Sequence, residues 1–259
     1  SYIMATAIKT AQWLAYASIK TKLWLAIASI KTMNGLWESN WLLTWLRAYY
    51  KLDESSGNAS DSSGNWYTLT ANNGATFAAW ILNNGGSLDW TNDYFSIADN
   101  LWMAGTSQNY SVICWIKPTS TIASQQVFWN HNQAAFDTYE YAEWYLSNLR
   151  HVRVRQWVAA EVCLVAQTFS AWTTYMIART YNGSTLTVSV NAGARTSLAS
   201  TGNGTSAWAD WFAVGAYIWG GTYYSSIIDE IPVWNKAIST GDETTIYNSG
   251  SPFPYSSYS

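Results

Sequence analysis

Two pairs of closely spaced carboxylates stand out as groups that could do chemistry: Glu140 and Glu143 in TYEYAEW, and the adjacent Asp229 and Glu230. Glycoside hydrolysis needs two carboxyls flanking one bond, about 5–5.5 Å apart for retention or about 6.5–9.5 Å for inversion. On a strand, residues that are adjacent or three apart point to opposite faces. Neither pair is therefore expected to act as acid and base together, and the chain is read as non-enzymatic. The two histidines offer no second route. His131 lies in WNHNQ, read as a loop, and His151 precedes VRVRQ, read as strand surface. Neither has zinc-ligand spacing around it.

Calcium is the ion that the oxygen-rich loops would suit, since it takes six to eight oxygens from carboxylates, carbonyls and water. Those loops are DESS at 53–56, DSSGN at 61–65, and Asp89 with Asn92 and Asp93. Asp61, Asn65 and Asp93 are the expected ligands. The competing reading is Asx-turns, in which each Asp or Asn holds its own loop backbone. For glycan contact the candidates mix aromatic and amide groups: Trp129, Asn130, His131, Asn132, Tyr139, Tyr141, Tyr217, Tyr223 and Tyr224. Asn58, Asn109, Asn182 and Asn203 head Asn-x-Ser/Thr triplets, acceptors in a glycosylating pathway.

These residues must be carried by a chain of 259 residues with 49% hydrophobic and 11% charged side chains. Such a chain buries a sizeable core, and its formal charge of −3 argues against a basic nucleic-acid binder and against disorder. Cys114 and Cys163 each sit in an apolar run and read as small buried hydrophobes, although one disulfide between them stays open. Lysines interrupt every apolar stretch near the N-terminus, so neither a membrane span nor a secretory signal is expected there.

The chain divides near residue 48. Residues 1–48 carry five basic residues and one acid, and the remainder carries eight basic and fifteen acidic residues. The leader is a repeat: AIKTAQWLAYA, SIKTKLWLAIA, SIKTMNGLWES. Ile8, Ile19 and Ile30 are eleven apart, as are Lys9, Lys20 and Lys31. An eleven-residue period is also compatible with helix. The β-favouring Ile-Lys-Thr core and the Asn34-Gly35 turn signal favour short strands. Units this short cannot bury a face alone, so residues 1–47 are expected to stack on copies of the chain or on another structural protein. From residue 48 to 250, short apolar runs alternate with Asn, Gly, Ser and Asp clusters, the pattern of a sandwich or jelly roll. A helical turn is expected after Trp234, capped by Ser239 with Asp242 and Glu243 behind it. Residues 251–259 read as a tail.

Five ordered segments carry a resemblance: AYYKLDESSGNASDSSGN at 48–65, SLDWTNDYFSIAD at 87–99, SVICWIKPTST at 111–121, TYNGSTLTVSVNAG at 180–193 and IIDEIPVWNKAIS at 227–239. Together they resemble the laminin-G-like jelly-roll domains of the concanavalin A-like lectin/glucanase superfamily. The resemblance implies an all-β, two-sheet antiparallel jelly-roll sandwich, here preceded by a short β-rich 11-residue-repeat segment. It implies a module that binds glycans or proteins, often with calcium, on cell-surface or phage structural proteins. The Glu-x-Asp-x-x-Glu strand motif of the superfamily's glucanases is absent. Pro232 departs from the pattern inside an expected strand, where it would remove a ladder hydrogen bond.

The count of 18 Trp against 16 Gly is unusual, and the positions are more so. Trp13 and Trp24 occupy the place that Gly35 holds in the third repeat copy. Trp66 and Trp90 stand where the resembling family has glycine, and Trp80 and Trp172 stand in turn-rich stretches. Tight turns need φ > 0, which glycine reaches freely. Reading UGA as tryptophan where the source reads it as glycine would produce this swap. The competing reading is that exposed aromatic rings form sugar-stacking platforms. Trp115 and Trp234 match tryptophans of the family.

The residues therefore favour a non-enzymatic structural or adhesive module at the extracellular surface of a virion or cell. The leader would assemble it, and the jelly-roll loops would meet a glycan or surface protein. The alternatives are a free-standing secreted lectin, a glycoside hydrolase, and a membrane-surface role for the basic leader. No nucleic-acid partner is expected.

Overall fold

The structure, a computed structural model, describes residues 42–99, 101, 103, 109–120, 125–131, 138–145, 148–155, 158–200, 211–217 and 221–258. The chain divides into two compact units, Ser1–Thr44 with Ser257–Ser259, and Trp45–Ser256. The repeat residues Ile8, Lys9, Ile19, Lys20, Ile30 and Lys31 lie outside the described residues, as do Trp13 and Trp24.

In chain order the first strands are β1 (Leu46–Tyr50), β2 (Thr70–Asn72), β3 (Thr76–Ala79), β4 (Asn84–Leu88), β5 (Tyr94–Ile97) and β6 (Tyr110–Pro118). Then come β7 (Gln125–His131), β8 (Thr138–Tyr145), β9 (Asn148–Arg155), β10 (Val158–Ala166), β11 (Tyr175–Tyr181) and β12 (Thr185–Val190). The last are β13 (Thr196–Ala199), β14 (Trp211–Val214), β15 (Ala216–Tyr217), β16 (Thr222–Tyr223), β17 (Ser226–Asp229) and β18 (Ile231–Trp234). Among the described residues they form a nine-stranded sheet in the order β13-β12-β11-β6-β17-β4-β3, with β18 joining β6 to β1. A seven-stranded sheet has the order β10-β9-β8-β7-β14-β5-β2, and β15 and β16 form a separate hairpin. Every pairing is antiparallel, as a jelly roll requires.

The core follows strand alternation. Val112, Cys114 and Ile116 of β6 and Ile177 and Tyr181 of β11 face Phe128, Leu149, Cys163, Phe212 and Val214 of the other sheet. Both cysteines are free and buried, and burial pushes both thiols up. Pro232 is accommodated because β18 pairs with β6 only at Val233 and Trp234, so position 232 lies where the strand has left that neighbour. Strand β1 begins at Leu46, which pairs with Trp234, and Asn235 N–H donates to Trp45 O at 3.0 Å. The sandwich therefore uses backbone from Trp45 onward.

Helix α1 (Thr240–Tyr247) forms as its capping residues dictate. Ser239 is extended and accepts from Asp242 N–H, while the Asp242 side chain accepts from Ser239 N–H. Asn248 ends the helix in a left-handed conformation at φ 44°. The helix covers the outer side of the nine-stranded sheet, where Tyr247 stacks on Trp115 with centroids 5.7 Å apart. Glu243 is buried and accepts from the Ser189 hydroxyl and, at 2.7 Å, from Arg195 Nε. The same guanidinium donates to the Ile238 and Ser239 carbonyls at 3.0 Å each. One arginine thus ties the β18–α1 connection to the sheet. Glu243→Ala would leave Arg195 beside a buried cavity with its best acceptor gone. Urea denaturation should report a loss of about 2 kcal/mol, and Glu243→Gln should recover part of it.

Candidate functional site

With α1 over one sheet, the outward side of the seven-stranded sheet is the other broad surface. Register defines its rows, because directly opposite residues share a face. One row runs Ala213, Trp129, Tyr141, Val152, Val162. The next runs Trp211, His131, Tyr139, Val154. These positions are outward because the alternate ones, Phe128 and Phe212, lie in the core. Ala213 and Val152 of the first row are buried. Val162 and Leu164 at the margin are 37% and 43% exposed, so the face is open there.

Four glycan-contact candidates, Trp129 and His131 of β7 and Tyr139 and Tyr141 of β8, thus hold directly opposite register positions on one face. His131 is the last residue of β7 rather than a loop residue. Asn130 falls on the core-facing side, opposite Phe212 and Glu140. Asn132 lies outside the described residues. Tyr217 pairs with Thr222, and half-buried Tyr223 pairs with Ala216, in the β15–β16 hairpin. Tyr224 is a correction: it is fully buried, its hydroxyl pushed up by desolvation, and it belongs to the core. Sequence gave no sign of this, because TYYSS reads equally well as an exposed hairpin.

His151 is also a correction, since it is wholly buried between the sheets rather than on the strand surface. Its Nδ1 lies 3.2 Å from Thr187 O, and its Nε2 lies 3.0 Å from the Tyr110 hydroxyl. A carbonyl can only accept, so Nδ1 carries a proton. Arg153 shares this interior. Its guanidinium carbon stands 4.0 Å from the Tyr181 ring centroid, and Nη1 donates to Ser200 Oγ at 3.3 Å, which in turn donates to Glu161 at 2.6 Å. His151, Arg153 and Ser200 of this network are buried, and Glu161 at its end is half-buried.

The carboxylate pairs divide as strand geometry requires. Glu140 pairs with Arg153 on the inward side, while Glu143 pairs with Arg150 on the outward side. Asp229 and Glu230 are buried, and desolvation pushes them up to about 10 and about 7 respectively. Glu230 stands at φ 50° and accepts from the Tyr49 hydroxyl, and its own N–H donates to Asp229 Oδ1 at 2.9 Å. These acids serve the packing of β17, β18 and β1.

The calcium candidates do not fit the ion. Asp61 Oδ1 accepts from the Tyr49 and Ser63 amides at 3.0 and 2.8 Å. Its Oδ2 accepts from Ser63 Oγ and the Tyr67 amide at 2.9 and 3.1 Å. Asn65 Nδ2 donates to the Leu46 and Arg47 carbonyls, which ties this loop to β1. Asp93 is buried in another turn, where Oδ2 accepts from Asp89 N–H and burial raises its carboxyl. Asp89 caps the same turn through the Thr91 amide, which holds its carboxyl low. Among the described residues no group of three or more His, Cys, Asp or Glu side chains gathers as a metal set.

Comparisons agree with this architecture. The family described as Laminin_G_3, concanavalin A-like lectin/glucanases superfamily, matches residues 89–242. No curated protein sequence matches the chain. Among solved structures, the chain is similar to domain 4 of AbnA, a GH43 extracellular arabinanase from Geobacillus stearothermophilus, in complex with arabinotriose. That match has a TM-score of 0.67 at 16% identity, over 78% of this chain and 98% of that one. It is also similar to the botulinum neurotoxin serotype D binding domain, with a TM-score of 0.64 at 12% identity, over 80% of this chain. A third likeness is to the binding domain of botulinum neurotoxin DC in complex with SialylT, with a TM-score of 0.60 at 10% identity, again over 80% of this chain. The chain spans about half of each toxin domain, 52% in both cases. At these identities the likenesses show the fold. The nine- and seven-stranded sheets, the helix across one of them and the matched residues together establish that the chain belongs to the laminin-G family of the concanavalin A-like lectin/glucanase superfamily.

Proposed function

We propose that the chain is a non-enzymatic carbohydrate-binding module of a surface assembly, with the outward side of the seven-stranded sheet as its glycan surface. One observation carries this reading: the register sets Trp129 opposite Tyr141 and His131 opposite Tyr139 on a single face. Paired aromatic positions at strand spacing suit the apolar faces of successive sugar rings, and flanking polar groups suit the hydroxyls. Support comes from the likeness to domain 4 of AbnA in complex with arabinotriose and to the toxin binding domain in complex with SialylT. The assembly role rests on the basic eleven-residue repeat, which would join copies of the chain or a neighbouring structural protein. An extracellular setting, on a virion or a cell, is part of the same proposal.

Calorimetry of the full chain with arabinotriose and a sialylated oligosaccharide, backed by a panel of immobilised polysaccharides, tests the binding. At least one should bind with a Kd of roughly 10 µM to 1 mM, the weak range of small polar ligands. Trp129→Ala with Tyr141→Ala should lower that affinity at least tenfold while far-UV circular dichroism stays unchanged. Binding that survives the double variant would remove the face from the proposal, and a panel without any binder would remove the glycan. Release of reducing ends from a bound polysaccharide would revive the hydrolase alternative. Sedimentation of the full chain against residues 45–259 tests the leader, with the larger species expected in the full chain alone.

A further inference from the structure

We infer that positions 66 and 172 are glycine in the native protein, and that its source reads UGA as glycine. The backbone carries this. Trp66 stands at φ 67° and Trp172 at φ 64°, in the left-handed region that a bulky L-residue enters only under constraint. The constraint is visible on both sides of Trp66. Asn65 is held to the Leu46 and Arg47 carbonyls, and Tyr67 N–H is held by Asp61. Trp172 N–H donates to Pro118 O at 2.7 Å, and Thr173 N–H closes the turn on Ser170 O.

Bulky residues elsewhere in this conformation gain burial in exchange. Leu52 at φ 55° and Leu101 at φ 51° are both fully buried in the core. Trp66 and Trp172 are 90% and 64% exposed, so little packing offsets the backbone strain. The Trp172 ring meets Lys117 Nζ at 5.8 Å, a weak contact at an exposed site. A turn that demands φ > 0 and a side chain that gains little burial describe a glycine position.

The internal repeat points the same way independently, since Trp13 and Trp24 align with Gly35. In contrast, Trp115 and Trp234 are buried core residues at 2% and 0% exposure. Packed Trp115 and Trp234 beside turn-bound Trp66 and Trp172 are what two codons with different meanings would leave, whereas Trp80 and Trp90 do not stand at φ > 0 and add nothing to the backbone argument. A shared sugar platform accounts less well for the exposed rings. Trp66 is anchored beside Leu46, whose partner Trp234 pairs with Ser111 at the start of β6. Trp172 is anchored to Pro118 at the end of β6, seven residues along and roughly 23 Å away.

The gene sequence and the native protein decide the matter. Codons 66 and 172 should read UGA, with UGG at 115 and 234, and peptides from the native source should weigh as glycine at 66 and 172. UGG at either turn, or tryptophan masses there, would overturn the inference. A recombinant series separates backbone strain from the exposed ring. Trp66→Gly with Trp172→Gly should raise Tm by a few degrees. The corresponding Ala pair removes the rings but keeps the Cβ atoms, and should fall clearly short of the Gly pair. Equal melting of the Ala and Gly pairs would sink the strain argument.

Discussion

Trp115→Ala is expected to be the most damaging single change in the sandwich, costing about 4 kcal/mol. Trp115 is 2% exposed on the outer side of β6, paired with Met176 of β11 and Asp229 of β17. Its ring lies nearly parallel to that of Tyr247, at 9°, so it is the surface on which α1 sits. Removing it opens a cavity between helix and sheet and forfeits the stacking, itself worth roughly 0.5–1.5 kcal/mol. Native domains have about 5–15 kcal/mol in total, so Tm should fall by about 10 °C. Trp115→Phe keeps an aromatic surface and should cost less than half as much. If Trp115→Ala melted within a degree or two of the parent, the helix would be a passive cover.

The second large effect is a pH dependence set by Glu230. Burial pushes its carboxyl from the usual range up to about 7, against the opposing hydrogen bond from Tyr49. The folded state therefore holds a proton that the unfolded chain has released above about pH 4.5. This contribution to stability is fully present below that pH and is lost as pH rises through 7. Asp229 acts in the same direction over a wider span, because burial and Glu230 beside it push it up further. Stability should thus decline from pH 5 to pH 8, opposite to the trend of a protein held by exposed salt bridges. Glu230→Gln keeps an acceptor for Tyr49 and removes the ionisation. It should shrink the difference between pH 5 and pH 8 by roughly 2–3 kcal/mol in urea melts. An unchanged pH slope in that variant would mean that Glu230 is already ionised at pH 5.

These buried acids bear on function as well. The IDEIPVW segment contributes to the resemblance, and its carboxylates sit in the interior, where they order β1, β17 and β18. The proposed glycan face lies on the other sheet. Substitutions at Glu230 should consequently move stability and leave oligosaccharide affinity alone, whereas Trp129 and Tyr141 should do the reverse.

The sequence by itself determined what depends on local pattern. Turn clusters between short apolar runs indicated an antiparallel jelly roll, and Ser239 with Asp242 indicated the start of α1, because capping is settled within four residues. The burial of Cys114 and Cys163 followed from their apolar runs for the same reason. The tight turns at Trp66 and Trp172 were also legible, since turn chemistry needs few neighbours, but Trp80 and Trp90, read the same way, do not stand at positive φ. Tertiary structure decided what depends on register and on which sheet a strand joins. A one-residue shift turns every side chain over, so neither the pairing of Trp129 with Tyr141 nor that of Asn130 with Phe212 could be read along the chain. His151 was misjudged because a polar residue in a strand is buried or exposed according to its partner sheet, and Tyr224 because the link between β16 and β17 places it in the core. The oxygen-rich loop at 61–65 could equally have served a cation or its own backbone. The amides of Tyr49, Ser63 and Tyr67 decided for the backbone by filling both oxygens of Asp61, and two of those amides come from outside the loop.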